Sequence, residues 1–230
     1  MRHIELSHSE NDSQSKSGLY LTEPTSHRLL LVVQASTQDS TDAAMFAETL
    51  TADGWSVLHI SAANSAADAD AAATMIFDTL KRATTEMKIA STASLKIVAI
   101  ADGRAALPTY MTVLQSHRHP ILSAIDGIVT IDGFDQTAVK STAPRISDIA
   151  AELTRLDGLS TIVAAHRSST EARRAGMLHH RQLQAHGRET HYLVLAESKT
   201  ALLTQLADAH NALGREVRWL LDPVHSRNDT

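Results

Sequence analysis

The chain has 230 residues and a net charge of −5 with its histidines neutral, which argues against a general nucleic-acid binder because such a protein needs a basic face. Aromatic residues make up only 3% of the chain, so the core must be built mainly from aliphatic side chains. The absence of cysteine excludes disulfides, a cysteine nucleophile and thiolate metal sites.

No apolar run approaches the roughly 20 residues that span a bilayer. The N-terminal residues also lack the apolar core of a signal peptide. We therefore predict a cytoplasmic protein without a transmembrane segment, although a periplasmic protein whose signal peptide had been removed would look the same.

The first 25 residues contain two short strand-like segments, 2–6 and 19–22, separated by a polar run. We interpret them as an antiparallel hairpin at the edge of a sheet. The alternative is a partly disordered tail, because the run is rich in Ser, Asn, Asp and Lys.

Six further apolar runs are typical of strands buried on both faces of a parallel sheet. They are 29–33, 55–60, 95–100, 125–131, 161–164 and 192–195. Segments with helical spacing alternate with them, and the last is predicted as one long helix over 202–220 that could break at Gly214. This order predicts an α/β fold with about eight strands, mostly parallel, and helices on both faces. We expect a single domain over residues 1–230, with a tail at 222–230.

The stretch VAIADGRAAL, residues 98–107, joins the fifth predicted strand to a predicted helix. Eight strands with an antiparallel start are the layout of α/β-hydrolases, which carry a G-x-S-x-G nucleophile elbow at this junction. The small residues Ala101 and Ala105 fit the flanking positions of such an elbow, which puts Gly103 at the nucleophile position. We therefore predict a vestigial elbow, and we expect the neighbouring Asp102 to point away from the pocket.

The other two members of a catalytic triad are not in their usual places. An acid is expected after the sixth or seventh strand, where Asp132 and Asp135 follow the sixth. A base is expected just after the eighth strand, but residues 196–200 contain no histidine. A rearranged site stays open, because triads are recognised by geometry and not by chain order. Its candidate residues are Ser36, Ser168 and Ser169 together with His166.

Several segments carry a family resemblance in their order and spacing. They are 46–57, the elbow at 101–105, the strand at 126–132, the helix around 180–182 and the ending at 215–220. Together they resemble an uncharacterised bacterial family of α/β-hydrolase-like proteins that lack the serine nucleophile, over most of residues 19–221. The resemblance implies a compact fold with short loops, no large lid and no established activity. Many members of that family carry a secretion signal.

No cofactor is predicted from the motifs. The turn after the first wound strand, 34–39, contains neither G-x-G-x-x-G nor G-K-[ST]. The pairs His117/His119 and His179/His180 lack the H-E-x-x-H arrangement, so we interpret them as surface residues and predict no metal site. The basic residues over 173–188 are expected on a solvated helix face, with an anion site as the alternative.

We predict a non-catalytic protein, a pseudo-hydrolase that binds an unknown small molecule or protein at the former active-site crevice. Strand carboxyl ends and helix N-termini converge at such a crevice. Its predicted ligand-binding residues are Gln34, Ser36, Asp102, Gly103, Arg104, Asp132, Asp135 and His166. The alternative is a divergent serine esterase whose nucleophile is displaced. Its catalytic candidates are Ser36, Asp102, Asp132, His166 and Ser168.

Overall fold

A computed structural model describes most of the chain. The described residues are 1–6, 16–22, 27–34, 40–61, 69–88, 95–119, 125–133, 146–153, 155–156, 158–196, 202–208 and 210–221. They contain eight strands, which are β1 (Arg2–Glu5), β2 (Lys16–Leu21), β3 (Arg28–Gln34), β4 (Ser56–Ser61), β5 (Lys96–Asp102), β6 (Ile125–Ile131), β7 (Ser160–His166) and β8 (Thr190–Leu195).

The strands form one sheet in the order β1-β2-β4-β3-β5-β6-β7-β8. β1 and β2 make an antiparallel hairpin, and β2 joins the sheet by antiparallel pairing with β4. All pairs from β4 through β3 to β8 are parallel. The predicted mostly parallel sheet with an N-terminal hairpin is confirmed.

Seven helices lie among the described residues. They are α1 (Ser40–Ala52), α2 (Ala69–Glu86), α3 (Ala106–Ser116), α4 (Ile146–Leu153), α5 (Thr170–Ala185), α6 (Leu202–Ala207) and α7 (Ala212–Leu221). The prediction of one last helix broken at Gly214 is wrong, because the break lies between α6 and α7 and Gly214 is inside α7. Glycine is required there for close packing, since a Cβ would lie 2.1 Å from the carbonyl oxygen of Asp208.

Two hydrophobic cores lie on opposite faces of the sheet, because successive strand side chains point to opposite sides. One core joins alternate sheet residues such as Leu29 and Leu31 to α2, α3, α4 and α5. The other joins Leu30 and Val32 to α1, α6 and α7. The sheet is therefore covered on both faces, and this leaves the carboxyl ends of its parallel strands as the place where polar groups can gather.

Arg188, two residues before β8, forms hydrogen bonds to the end of α4 and to the segment that links α4 to β7. Its guanidinium donates hydrogen bonds to the carbonyl oxygens of Leu159 at 2.8 Å, Leu156 at 2.5 Å and Leu153. Leu153 ends α4, where helix carbonyls lack helical partners, whereas Leu156 follows the helix and Leu159 directly precedes β7. The expectation that Arg188 lies on a solvated helix face is therefore wrong.

Replacing Arg188 with methionine is expected to destabilise the fold by about 3 kcal/mol, because three partly buried carbonyls lose a charged donor. Urea unfolding measures the change. Arg181→Met is the matched control, since Arg181 is exposed on α5 and its loss should change stability by less than about 0.5 kcal/mol. Equal stabilities for the two variants would contradict this role of Arg188.

None of the helices in the described part of the chain is both long and apolar enough to cross a membrane.

Candidate active site

Three neighbouring parallel strands end in ionisable side chains. Asp102 is the last residue of β5, Asp132 directly follows β6, and His166 is the last residue of β7. Because β5, β6 and β7 are consecutive in the sheet, their carboxyl ends bring these three residues to the same edge of the sheet. We call them the strand-end cluster.

Asp132 holds His166 through two hydrogen bonds. The Nδ1 atom of His166 lies 2.5 Å from Oδ2 of Asp132, and the backbone N–H of His166 donates to Oδ1 at 2.8 Å. Asp132 is itself fixed, because its backbone N–H donates to the carbonyl oxygen of Ala164 at 3.0 Å. Its φ of +49° is unusual for a residue with a side chain and indicates a backbone constrained by its surroundings.

This pair has the chemistry of a general base. With Nδ1 of His166 engaged by the carboxylate, the tautomer that carries its proton on Nδ1 is favoured and Nε2 is the nitrogen that can accept a proton. Both side chains are about one-quarter exposed, 22% for His166 and 26% for Asp132. A substrate can therefore reach the pair, while the protein around it limits solvent screening.

Asp102 belongs to the same electrostatic environment. The pKa of Asp102 is raised to about 6, mainly by burial and also by the charge of Asp132, while His166 acts to lower it. The carboxyl group is therefore close enough for its pKa to respond to the charges of both members of the pair. Near pH 6 a substantial fraction of Asp102 carries a proton, which an ordinary aspartate would not.

The turn after β5 brings the elbow next to Asp132. Gly103 has a φ of +54°, in the left-handed region that glycine favours. Gly133 follows Asp132 and packs against the start of α3, where a Cβ would lie 2.5 Å from Ala106 Cβ and 3.8 Å from the carbonyl oxygen of Gly103. Position 103 therefore lies beside the segment that carries Asp132.

Position 103 also has room for a side chain, because a Cβ built there meets no atom of the described residues within 4 Å. We expect Gly103→Ser to react with a fluorophosphonate at residue 103, since a positive φ lifts the side chain out of such a turn. Gly103→Ala is the matched control, because it carries the same backbone strain of about 1 kcal/mol without a hydroxyl. Peptide mapping by mass spectrometry checks the result, and a folded Gly103→Ser variant that stays unmodified at position 103 would contradict it.

The remaining predicted site residues are placed differently. Gln34 is buried at the end of β3, with its Oε1 2.7 Å from Nε2 of His59. Arg104 follows the elbow tip and is exposed. Ser168 is exposed in the turn after β7, whereas the hydroxyl of Ser169 caps α5 by accepting the N–H of Ala172 at 3.2 Å. The other two predicted residues, Ser36 and Asp135, lie outside the described residues.

The histidine pairs do not form a metal site in the described part of the chain, where no three His, Asp or Glu side chains are grouped closely enough to hold an ion. His179 is not a surface residue as expected. It is buried between α5 and α3, and its Nε2 lies 3.1 Å from the hydroxyl of Tyr110. A second histidine–carboxylate pair, His191 and Glu216 at 3.3 Å, lies at the side of β8 and α7.

Sequence reasoning named Asp132 and His166 separately but did not pair them. The signal was available, since both lie at the ends of strands that are consecutive in the predicted winding. Residues at the carboxyl ends of adjacent parallel strands are neighbours. The histidine lies at the end of β7 and not after the eighth strand, where α/β-hydrolases usually carry it.

The strand order, the N-terminal hairpin and the turn from β5 into α3 define the α/β-hydrolase fold. Solved structures agree with this assignment. A dienelactone hydrolase from Anabaena variabilis is 13% identical, covers 94% of this chain and 97% of its own, and has a TM-score of 0.58. Est1E from Butyrivibrio proteoclasticus is 9% identical, over 93% and 98%, with a TM-score of 0.57.

A structure from a study of carboxylesterases of the thaumarchaeon Nitrososphaera gargenis is 12% identical, over 96% of this chain and 100% of its own, with a TM-score of 0.62. No protein-family model matches the chain, and no curated protein matches it. At these identities the likeness shows the α/β-hydrolase fold and leaves the reaction to be argued from the site.

Proposed function

We propose that the protein is a divergent ester hydrolase in which His166, oriented by Asp132, is the general base and the nucleophile does not come from position 103. The observation that carries the proposal is the pair of hydrogen bonds from His166 to the two oxygens of Asp132, at 2.5 Å and 2.8 Å. A histidine held in this way keeps Nε2 for a reacting group, as hydrolysis of an ester requires.

The electrostatics of the strand-end cluster favour this use of the pair. A neighbouring carboxylate stabilises the imidazolium that forms when His166 accepts a proton. The backbone N–H groups of the turn Gly103–Ala105 are suited to a developing oxyanion, because the first N–H groups of a helical turn lack helical partners. Solved structures with the same fold are described as a hydrolase or as carboxylesterases. By analogy of fold, they support ester hydrolysis as the reaction.

The nucleophile in this proposal is a water molecule or a serine outside the elbow. Ser168 is two residues from His166 and exposed, and Ser36 is the other candidate from the sequence. Among the described residues, nothing fills the space that a side chain at position 103 would take, and a water molecule has room to approach there. In both versions the proton of the attacking O–H goes to His166 Nε2 as the new C–O bond forms.

A second function, binding without catalysis, is supported by Gly103, which offers no attacking group at the elbow. In that case the chain is a pseudo-hydrolase, and the same crevice binds a small molecule or a protein partner. The strand-end cluster would then hold a polar ligand by hydrogen bonds without converting it.

One experiment separates these functions. The folded protein is assayed with p-nitrophenyl butyrate and then treated with a fluorophosphonate, beside an active serine esterase, and its peptides are mapped. Turnover with one modified serine identifies a displaced nucleophile, and turnover without modification identifies water. Absence of both turnover and modification would contradict the hydrolase proposal and favour the pseudo-hydrolase, for which ligand screening is the next step.

A further inference from the structure

Asp102 occupies a position where aspartate usually caps the helical turn that follows, but it does not form this cap. It immediately precedes the helical turn Gly103–Ala105, the position from which an aspartate oxygen commonly accepts a backbone N–H. The Asp102 side chain makes no such capping hydrogen bond. Its backbone is extended, with φ of −107° and ψ of 132°, and it completes β5 by pairing with Ile131 of β6.

The register between β5 and β6 places Asp102 near the Asp132–His166 pair. Since Asp102 lies opposite Ile131, Asp132 is the residue that directly follows its partner on the neighbouring strand, and adjacent strands run about 5 Å apart. The charged groups that act on Asp102 are Asp132 from the end of β6 and His166 from the end of β7. A mostly buried carboxyl group beside a second carboxylate favours its protonated form, because two adjacent negative charges repel each other.

We propose that Asp102 is a catalytic residue, the general acid that protonates the leaving alcohol of the ester. The inference rests on the proposed hydrolase function and adds the residue that completes the proton transfers. It also specifies a substrate class, esters of ordinary alcohols, since an alkoxide is a poor leaving group that needs a proton.

The proton transfers balance within the cluster. The attacking O–H gives its proton to His166 Nε2 while its oxygen bonds to the carbonyl carbon. The carbon–oxygen bond to the leaving group then breaks, and the leaving oxygen takes the proton of the Asp102 carboxyl group. The proton on His166 passes to the Asp102 carboxylate and restores the starting state. When water attacks, each turnover adds one water to one ester. When a serine attacks, the serine is first acylated and water then hydrolyses the acyl-enzyme, with the same net reaction.

The test compares two butyrate esters in the full-length protein. For the ethyl ester, Asp102→Asn is expected to lower kcat/KM about 100-fold, because asparagine cannot donate a proton in this way. For the p-nitrophenyl ester, Asp102→Asn should lower kcat/KM by less than about threefold, since p-nitrophenolate leaves without protonation. Wild-type activity on the ethyl ester should fall as the pH rises above about 6, where Asp102 ionises, and this fall should be absent in Asp102→Asn.

The matched control is Asp126→Asn, at the opposite end of β6, where burial also raises the pKa of the aspartate. It should leave the ratio of the two esters unchanged. Equal losses on both esters in Asp102→Asn, or no loss on either, would overturn the role of Asp102 while the hydrolase proposal stands. Absence of wild-type turnover on both esters would overturn the hydrolase proposal and the role of Asp102 with it.

Discussion

Asp132→Asn is expected to lower ester hydrolysis by 10²- to 10⁴-fold, although its side chain has nearly the same shape. The reason is that the carboxylate accepts two hydrogen bonds, one from the backbone N–H of His166 and one at its Nδ1. Asparagine has only one acceptor oxygen. If that oxygen keeps the backbone N–H, the amide NH₂ faces Nδ1 and forces the imidazole proton onto Nε2, so the base is lost.

Steady-state kinetics with p-nitrophenyl butyrate measure this loss, with circular dichroism to establish that the variant is folded. The control is Glu216→Gln, which makes the same chemical change in the His191 pair. It should leave kcat/KM within about threefold of the wild type. Retention of full activity by Asp132→Asn would contradict the role assigned to the Asp132–His166 pair.

The protein is expected to lose stability in mild acid because two histidines are buried without charge. Burial lowers the pKa of His59 to about 4 and that of His179 to about 4, with His180 contributing to the second shift. Their unfolded forms take up protons near pH 6.5 and the folded forms do not, so stability is fully present above pH 6.5 and declines towards pH 4. Each histidine contributes about 3 kcal/mol to this decline.

The variant His59→Gln/His179→Gln tests this expectation, because glutamine supplies an uncharged amide near the position of each Nε2. Urea unfolding at pH 7.5 and pH 4.5 gives the change in stability for each protein. Asp102 acts in the opposite direction, since its raised pKa makes ionisation with rising pH unfavourable for the fold. The difference between wild type and double variant therefore isolates the histidines. An identical pH dependence in both proteins would contradict their role.

The fold follows closely from the sequence because its strands are apolar runs that must be covered on both faces. The prediction of 125–131 as a strand, for example, agrees with β6. Local sequence patterns do not predict features that depend on tertiary contacts. The break before α7 and the burial of His179 against Tyr110 depend on packing between helices distant in sequence.

The candidate site divides in the same way. The elbow at Gly103 could be located from small residues next to a strand, since those constraints are local. The pairing of Asp132 with His166 joins residues 34 apart in sequence, and it depends on which strands are neighbours and where each ends. The position of Asp102 near this pair likewise depends on the register between β5 and β6, which hydrophobic patterning does not specify to one residue in strands buried on both faces.

The most direct measurement of the central claim is the initial rate of p-nitrophenyl butyrate hydrolysis by the wild type, His166→Gln and His191→Gln at equal protein concentration. Both histidines pair with a carboxylate, but only His166 belongs to the strand-end cluster. We predict that His191→Gln stays within about threefold of the wild type and that His166→Gln falls at least about 100-fold. A His166→Gln rate equal to that of the wild type, or a wild-type rate no higher than buffer, would contradict the account.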